Sequence, residues 1–175
     1  MSMGSYKFQL SVVNVNDVPV VCVVIVDAST DEDAVFSVNV SGSFDDVDVG
    51  DSLTFTALLA GGGALPSWLS ISVAGILSGT PANGDVGSIL VEAAATDGSL
   101  AAVSDTFQLT VDNVNAVPVV SLVIDDTSTA EDAVVSPDFS CSFVDVTVGH
   151  SLTFSVHLSL GRGSPFVWCS GVSAV

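Results

Sequence analysis

The stretch FQLSVVNVNDVPVV at residues 8–21 recurs as FQLTVDNVNAVPVV at residues 107–120. A second stretch, SFDDVDVGDSLTF at residues 43–55, recurs as SFVDVTVGHSLTF at residues 142–154. In both cases the copies lie 99 positions apart without a gap, and about two thirds of the positions between these landmarks are identical. Self-similarity at one fixed spacing predicts a tandem repeat, with modules of about 100 residues.

The repeat register divides the chain into three parts. Residues 1–17 are predicted to be the last strand and linker of a preceding module, residues 18–117 a complete module, and residues 118–175 a truncated second module. The first copy continues as LPSWLSISVAGILSGTP, whereas the second reads SPFVWCSGVSAV and ends. We therefore expect the second copy to fold poorly by itself.

The segments between turn residues predict strands and no helices. Polar and apolar residues alternate along residues 52–59 and 105–111, which is the pattern of a strand with one buried face. Gly, Pro and Asn residues separate these segments at turn spacing. About seven short strands in a module of about 100 residues favour an all-β fold, an immunoglobulin-like β-sandwich. The expected core aromatic residues are Phe44, Phe55, Trp68 and Phe107.

The charge balance excludes some partners. The chain has 20 Asp and Glu residues against 2 Lys and Arg residues, a net charge of −18, so it lacks the cationic face that binds nucleic acid or anionic lipid. Hydrophobic residues make up 49% of the sequence and charged residues 13%, which indicates a buried core and not a disordered acidic tail. The longest apolar run, residues 18–25, is far shorter than a membrane helix, so no membrane insertion is expected.

The acidic residues are concentrated in recurring segments. These are the linker, a Glu-Asp pair, an Asp-rich loop and an Asp-Gly turn, at residues 14–19, 32–33, 45–51 and 95–98. Unbalanced negative charge in a compact domain repels itself, which predicts a cation among the carboxylates. Asp, Asn and backbone oxygens suit a hard ion, and Ca²⁺ is the natural candidate outside the cell. Solvated acidic turns explain the same composition, so both interpretations stay open.

At these motifs the sequence resembles the cadherin-like modules of large bacterial surface adhesins, including the dystroglycan-type cadherin-like and He-PIG immunoglobulin-like repeats. The motifs that carry the resemblance are NVNDVP, SFDDVDVGDSLTF, LPSWL, LSGTPANGDVG, AATDG and SDTFQLTVDNVN. It covers residues 8–117 and the first half of the second repeat. The resemblance implies an immunoglobulin/cadherin-like β-sandwich that binds Ca²⁺ at the junctions between successive modules.

The resemblance also implies particular ligands at two junctions. For the first junction it implies Asn14, Asn16, Asp17, Asp46, Asp48 and Asp97. For the second junction it implies Glu32, Asp112, Asn113 and Asn115. Carboxylates two residues apart in a loop can converge on one ion, because Ca²⁺ accepts about six to eight oxygens without strict geometry.

The second junction departs from this pattern. Ala116 stands where the first linker has Asp17, and the second loop has lost most of its carboxylates. Val144, Thr147 and His150 replace Asp45, Asp48 and Asp51. We expect this junction to bind Ca²⁺ weakly or not at all.

No motif predicts an enzyme. Both histidines, His150 and His157, lie in the incomplete copy, so the complete module has neither a Ser-His-Asp triad nor a zinc site. The sequence contains no HExxH, GxSxG or phosphate-binding loop. The three cysteines, Cys22, Cys141 and Cys169, each differ from the residue at the matching repeat position and do not form a disulfide framework.

Two functional hypotheses follow. The first is a Ca²⁺-stiffened spacer of a secreted or surface-anchored adhesin, extracellular or at the cell surface. Its direct partners would be neighbouring repeats of the same chain, and the parent protein would meet a cell-surface protein or glycan. The second is a carbohydrate-binding or homophilic protein-binding module of the kind that accompanies secreted hydrolases. This alternative needs an exposed aromatic platform, and Trp68 is the only tryptophan of the complete module.

Overall fold

The computed structural model describes residues 6–125, 128–134, 138, 140–147, 149 and 151–154. In this part of the chain it contains β-strands and two 3₁₀ turns, at Ser41–Ser43 and Asn83–Asp85, and no α-helix, which confirms the all-β prediction. The strands are β1 (Val20–Val21), β2 (Ala28–Asp31), β3 (Phe36–Asn39), β4 (Phe44–Asp45), β5 (Thr54–Leu59), β6 (Leu69–Ile71), β7 (Ile76–Gly79), β8 (Gly87–Thr96), β9 (Ala102–Asp112), β10 (Val119–Val120) and β11 (Phe143–Val144).

Some sequence predictions lie outside the described residues. They concern His150, His157, Cys169 and the end of the second module. Within the described ranges, no helix is long and apolar enough to cross a membrane.

Two sheets form the body of the complete module. One has four strands in the order β2-β9-β8-β5, and the other has three strands in the order β3-β7-β6. The long antiparallel ladder between β8 and β9 runs from the pair Gly87 and Val111 to the pair Thr96 and Ala102. Strand β2 joins the other side of β9 in parallel, with Ala28 opposite Leu109. The seven strands of these sheets agree with the β-sandwich expected from the sequence.

The core lies on the inward faces of the two sheets, where the alternating pattern places apolar side chains. Along β8, Val91, Ala93 and Ala95 are buried on one face, while Glu92 accepts a hydrogen bond from the Ser104 hydroxyl at 2.7 Å on the other. The largest cluster of buried side chains comes from both sheets and consists of Phe36, Leu69, Leu77, Val91, Phe107 and Leu109. Its burial stabilises the sandwich through the removal of apolar surface from water.

Contacts at the start of the complete module recur 99 positions later. Strand β1 pairs with β4, and β10 pairs with β11 in the same register. The ring centroids of Phe44 and Phe55 lie 5.9 Å apart, and those of Phe143 and Phe154 lie 5.7 Å apart. The repeated sequence therefore adopts a repeated local structure here, while the module boundaries themselves stay a prediction.

Candidate metal site

The Asp-rich loop and the Asp-Gly turn meet because the strands that carry them are neighbours. The loop leads into β5, and the turn follows the last residue of β8. Since β5 and β8 are antiparallel, with Thr54 opposite Thr96, the start of one strand and the end of the other lie at the same edge of the sheet. The topology thus brings Asp46, Asp48 and Asp97 to one end of the module.

The linker is attached to this end by two hydrogen bonds. The Asn16 side-chain amide donates to Oδ2 of Asp97 at 3.0 Å, and the backbone N–H of Asp17 donates to Oδ2 of Asp48 at 2.7 Å. Bonds to a charged acceptor are stronger than those between neutral groups. Two carboxylates of the module therefore hold residues that precede its first strand.

Three carboxylates converge beside these bonds. Asp46, Asp51 and Asp97 each offer an oxygen within 4.8 Å of the others. Asp97 and Asp48 are buried, and Asp46 is half-buried. Oδ2 of Asp46 is shielded from solvent and has no hydrogen-bond partner among the described residues. Because like charges at this spacing repel, a cation between them would be stabilising.

The surroundings shift the pKa values of two of these groups in opposite directions. Asp51 is exposed, and partial desolvation of its carboxyl, followed by the charges of Asp46, Asp48 and Asp97, raises its pKa above the ordinary value of 3.8. The hydrogen bond from Asn16 is the main cause that lowers the pKa of Asp97. Oδ1 of Asp97 also accepts the backbone N–H groups of Ser99 and Ala101, which lower the pKa further and outweigh its loss of solvent.

The donor set fits a hard cation such as Ca²⁺. The converging atoms are carboxylate oxygens, with no sulfur or imidazole among the described residues of the cluster. The loop contains Gly50 with a φ of 100°, a backbone conformation that ordinary side chains rarely tolerate and that glycine adopts freely. Asp46, Asp51 and Asp97 are the residues that could hold the ion.

The structure brings together most of the residues implied for the first junction. Asn16, Asp17, Asp46, Asp48 and Asp97 are linked to one another by proximity or hydrogen bonds. Asn14 is exposed and has no hydrogen bond within the part of the chain that the structure describes.

The residues implied for the second junction form a different arrangement. Glu32 is buried, and its carboxylate accepts the backbone N–H of Val114 at 2.7 Å, while its own N–H donates to the carbonyl of Asp112 at 3.0 Å. The Asn115 side chain donates to the carbonyl of Ala116 at 3.3 Å. Asn113 is exposed and has no hydrogen bond in the described ranges. Glu32 therefore contacts the second linker through its backbone.

Two residues at these sites are not among the ligands that the sequence implies. Asp51 belongs to the acidic loop of residues 45–51 and is not among the implied ligands, yet its carboxylate lies within 4.8 Å of those of Asp46 and Asp97. In the segment LSGTPANGDVG, Asn83 before Gly84 indicates only a turn, yet its side chain donates to the carbonyl of Val146 in the second loop. No local pattern indicates that contact, because the two residues are distant in sequence.

Three solved structures resemble parts of this chain. An endo-fucoidan hydrolase of glycoside hydrolase family 107 has 23% identity and a TM-score of 0.42, over 54% of this chain and 13% of its own. A nucleoside hydrolase-related protein from Saccharophagus degradans, described as associated with carbohydrate metabolism, has 20% identity and a TM-score of 0.41. The match covers 55% of this chain and 26% of that protein. The EC21–23 segment of human CDH23 has 18% identity and a TM-score of 0.46, and the match covers 75% of this chain and 47% of that segment. The chain thus spans less than half of each of these structures.

The sequence comparison is more specific. No curated protein matches the chain in sequence. The He_PIG family, described as "Putative Ig domain", matches residues 18–112, which is more than half of the chain and lies within the predicted complete module. The aligned region holds both sheets of the sandwich, the Asp-rich loop and the Asp-Gly turn. This chain therefore belongs to the He_PIG family of immunoglobulin-like domains.

Proposed function

We propose that the chain is a Ca²⁺-binding structural repeat, a spacer of a secreted or cell-surface adhesin in which the ion fixes the linker against the module that follows it. The observation that supports this proposal is the convergence of three carboxylates beside the two hydrogen bonds that attach the linker. A site at a junction can control the angle between modules. A site elsewhere on the sandwich could not.

Each residue of the cluster has a distinct part in this proposal. Asp46, Asp51 and Asp97 would hold the ion, while Asp48 accepts the linker N–H and Asn16 fixes the second oxygen of Asp97. The ion supplies positive charge that offsets the repulsion among the carboxylates. Because Asp97 both faces the cluster and binds the linker, ordering of its carboxylate also orders the linker.

A calcium titration of thermal stability tests the site. The full chain is melted in EDTA and in increasing Ca²⁺, with Mg²⁺ as the comparison ion. A ligand that binds only the folded state at a hundred times its dissociation constant adds about 2.7 kcal/mol of stability. We expect saturable stabilisation by Ca²⁺ that the D46N variant loses.

The matched control is Asp31→Asn, which removes the same charge from an exposed position whose side chain has no hydrogen bond among the described residues. This variant should respond to Ca²⁺ as the wild type does. If the wild-type melt ignores Ca²⁺ but shifts with NaCl, the carboxylates are only a solvated acidic surface and the proposed function is wrong.

The alternative of a carbohydrate-binding or homophilic module has less support. Every aromatic side chain of residues 18–117 is buried or half-buried, and Trp68 packs against the main core cluster. A glycan platform needs an exposed aromatic face, so this module offers none of that kind. We also propose that the chain has no catalytic role, because its buried carboxylates bind backbone and linker groups. Neighbouring repeats of the same protein are the proposed partners.

A further inference from the structure

The two junctions share one hydrogen bond but differ in its acceptor. At the first junction the N–H of Asp17 donates to the Asp48 carboxylate at 2.7 Å. At the second, the N–H of Ala116 donates to the hydroxyl of Thr147 at 2.8 Å. The four residues occupy matching positions of the repeat. The second junction therefore keeps the bond while it replaces a charged acceptor with a neutral one.

The loop around this acceptor keeps its conformation. The N–H of Asp48 donates to the Asp46 carboxylate at 2.9 Å, and the N–H of Thr147 donates to the Asp145 carboxylate at 2.8 Å. Thr147 is 5% exposed and Asp48 is 7% exposed, so both acceptors are buried. A hydroxyl in this position satisfies the linker amide without a charge that requires compensation.

Direct bonds join the two sides of the second junction. The Glu32 carboxylate holds the N–H of Val114, and the Asn83 side chain donates to the carbonyl of Val146. Asn83 belongs to the complete module and Val146 to the following loop, so their bond spans the joint. A cavity of about 150 Å³ lies between them and is lined by Glu32, Asp33, Asn83, Val114, Asn115, Ala116 and Val146.

The side chains at this junction do not fit a cation as those of the first junction do. Of the two loop carboxylates that converge at the first junction, Asp46 and Asp51, only Asp46 has a carboxylate counterpart, Asp145, and the Thr147 hydroxyl is already engaged with the linker. In the sequence His150 stands where Asp51 stands in the first loop. One oxygen of the buried Glu32 carboxylate accepts the N–H of Val114 in the second linker, and Oδ1 of Asp145 accepts the N–H of Thr147 in the second loop.

We propose that the second junction is a metal-independent joint, in which the Thr147 hydroxyl replaces the carboxylate that holds the linker at the first junction. The contrast with the first junction rests on the calcium function proposed above, whereas the role of Thr147 does not. Two unlike joints in one chain give an array that stays stiff at one point and loosens at the other when Ca²⁺ falls.

Limited proteolysis of the full chain with elastase, with the cuts located by mass spectrometry, tests this proposal. Both linkers contain exposed valines that elastase can cleave, at residues 14–18 and 113–117. In the wild type, Ca²⁺ is expected to slow cleavage at residues 14–18 and to leave the rate at residues 113–117 unchanged. The T147V variant should be cut about fivefold faster at residues 113–117, in EDTA and in Ca²⁺ alike, because one hydrogen bond is lost.

The T147S variant is the matched control, since it keeps the hydroxyl and should be cleaved as the wild type is. If T147V unfolds the second module, cuts will extend beyond the linker, and N83A then serves as the probe, with faster cleavage confined to residues 113–117. Equal protection of both linkers by Ca²⁺ overturns the proposal. The proposal is also wrong if elastase cleaves T147V and T147S at the same rate at residues 113–117. If Ca²⁺ protects neither linker, the calcium function is wrong, while the difference between T147V and T147S still decides the role of Thr147.

Discussion

The Asp-rich loop inverts the usual preference of its side chains for solvent. Asp48 is buried, whereas its neighbours Val47 and Val49 are 70% and 101% exposed. Burial of a carboxylate is costly unless hydrogen bonds compensate it, and here the linker N–H provides one. The exposed valines show that the backbone of this loop is arranged around its carboxylates and not around its apolar residues.

Acidification without Ca²⁺ is expected to change stability in two opposite steps. The raised pKa of Asp51 means that the folded state takes up a proton before the unfolded state, so stability rises as the pH falls from neutral through that pKa. The lowered pKa of Asp97 contributes stability that is complete above its ordinary value of 3.8 and is lost as the pH falls through its folded-state value.

Thermal melts in EDTA across this pH range will check the prediction. Stability should pass through a maximum on the acid side of neutral, and D51N should remove the rise but keep the later loss. A wild-type curve that only falls with decreasing pH would contradict the assigned role of Asp51.

At the scale of elements, β7 shows why its sheet requires a glycine. This strand lies between β3 and β6, and Leu77 at its centre is fully buried. Gly79 lies opposite both Phe36 and Leu69. A Cβ atom at Gly79 would overlap the carbonyl oxygen of Trp68 and meet its ring at 3.0 Å. The close approach of the Trp68 backbone therefore depends on the absence of a side chain.

The G79A substitution is expected to destabilise the module by about 1–3 kcal/mol, because the backbone of Trp68 must shift to admit the methyl group. Chemical denaturation measures this change. The matched control is G42A in the turn Ser41–Ser43, where an added Cβ meets no atom within 4 Å and the cost should stay within about 0.5 kcal/mol. Similar losses for both variants would refute the close contact at Trp68.

At the scale of the whole molecule, the tripeptide FQL is exposed in its first copy, whereas the Phe and Leu of its second copy are buried. Phe8 and Leu10 of the first FQL are 90% and 78% exposed, whereas Phe107 and Leu109 of the second are 2% and 0% exposed. The second copy lies in β9, between β2 and β8 and against the other sheet. Burial of these side chains is thus a property of the surrounding strands and not of the tripeptide.

Paired alanine substitutions will measure this difference. F107A should cost about 3–5 kcal/mol of unfolding free energy, as expected for a large aromatic side chain removed from a core. F8A removes the same group from an exposed position and should change stability by less than about 0.5 kcal/mol. A comparable loss for F8A would mean that Phe8 is buried against the folded protein in solution.

The sequence by itself determined the local features of this protein. The alternation at residues 52–59 and 105–111 predicted β5 and β9, and the turn residues between apolar segments predicted an all-β sandwich. The 99-residue offset predicted a repeated module, and the β1–β4 pairing does recur in β10 and β11. These features depend on residues that are close together in the chain or on a repeated sequence, so the order of residues alone is enough to predict them.

Only the tertiary structure decided how the distant groups meet. Asn16 and Asp97 are 81 residues apart, and they bind because β5 and β8 share a sheet edge that faces the linker. The same pairing brings Asp51 into the cluster, and Asn83 meets Val146, which lies 63 residues further along the chain. Hydrogen-bond direction and burial depend on where whole strands pack, and that packing is the sum of many weak non-local contacts that no short motif contains.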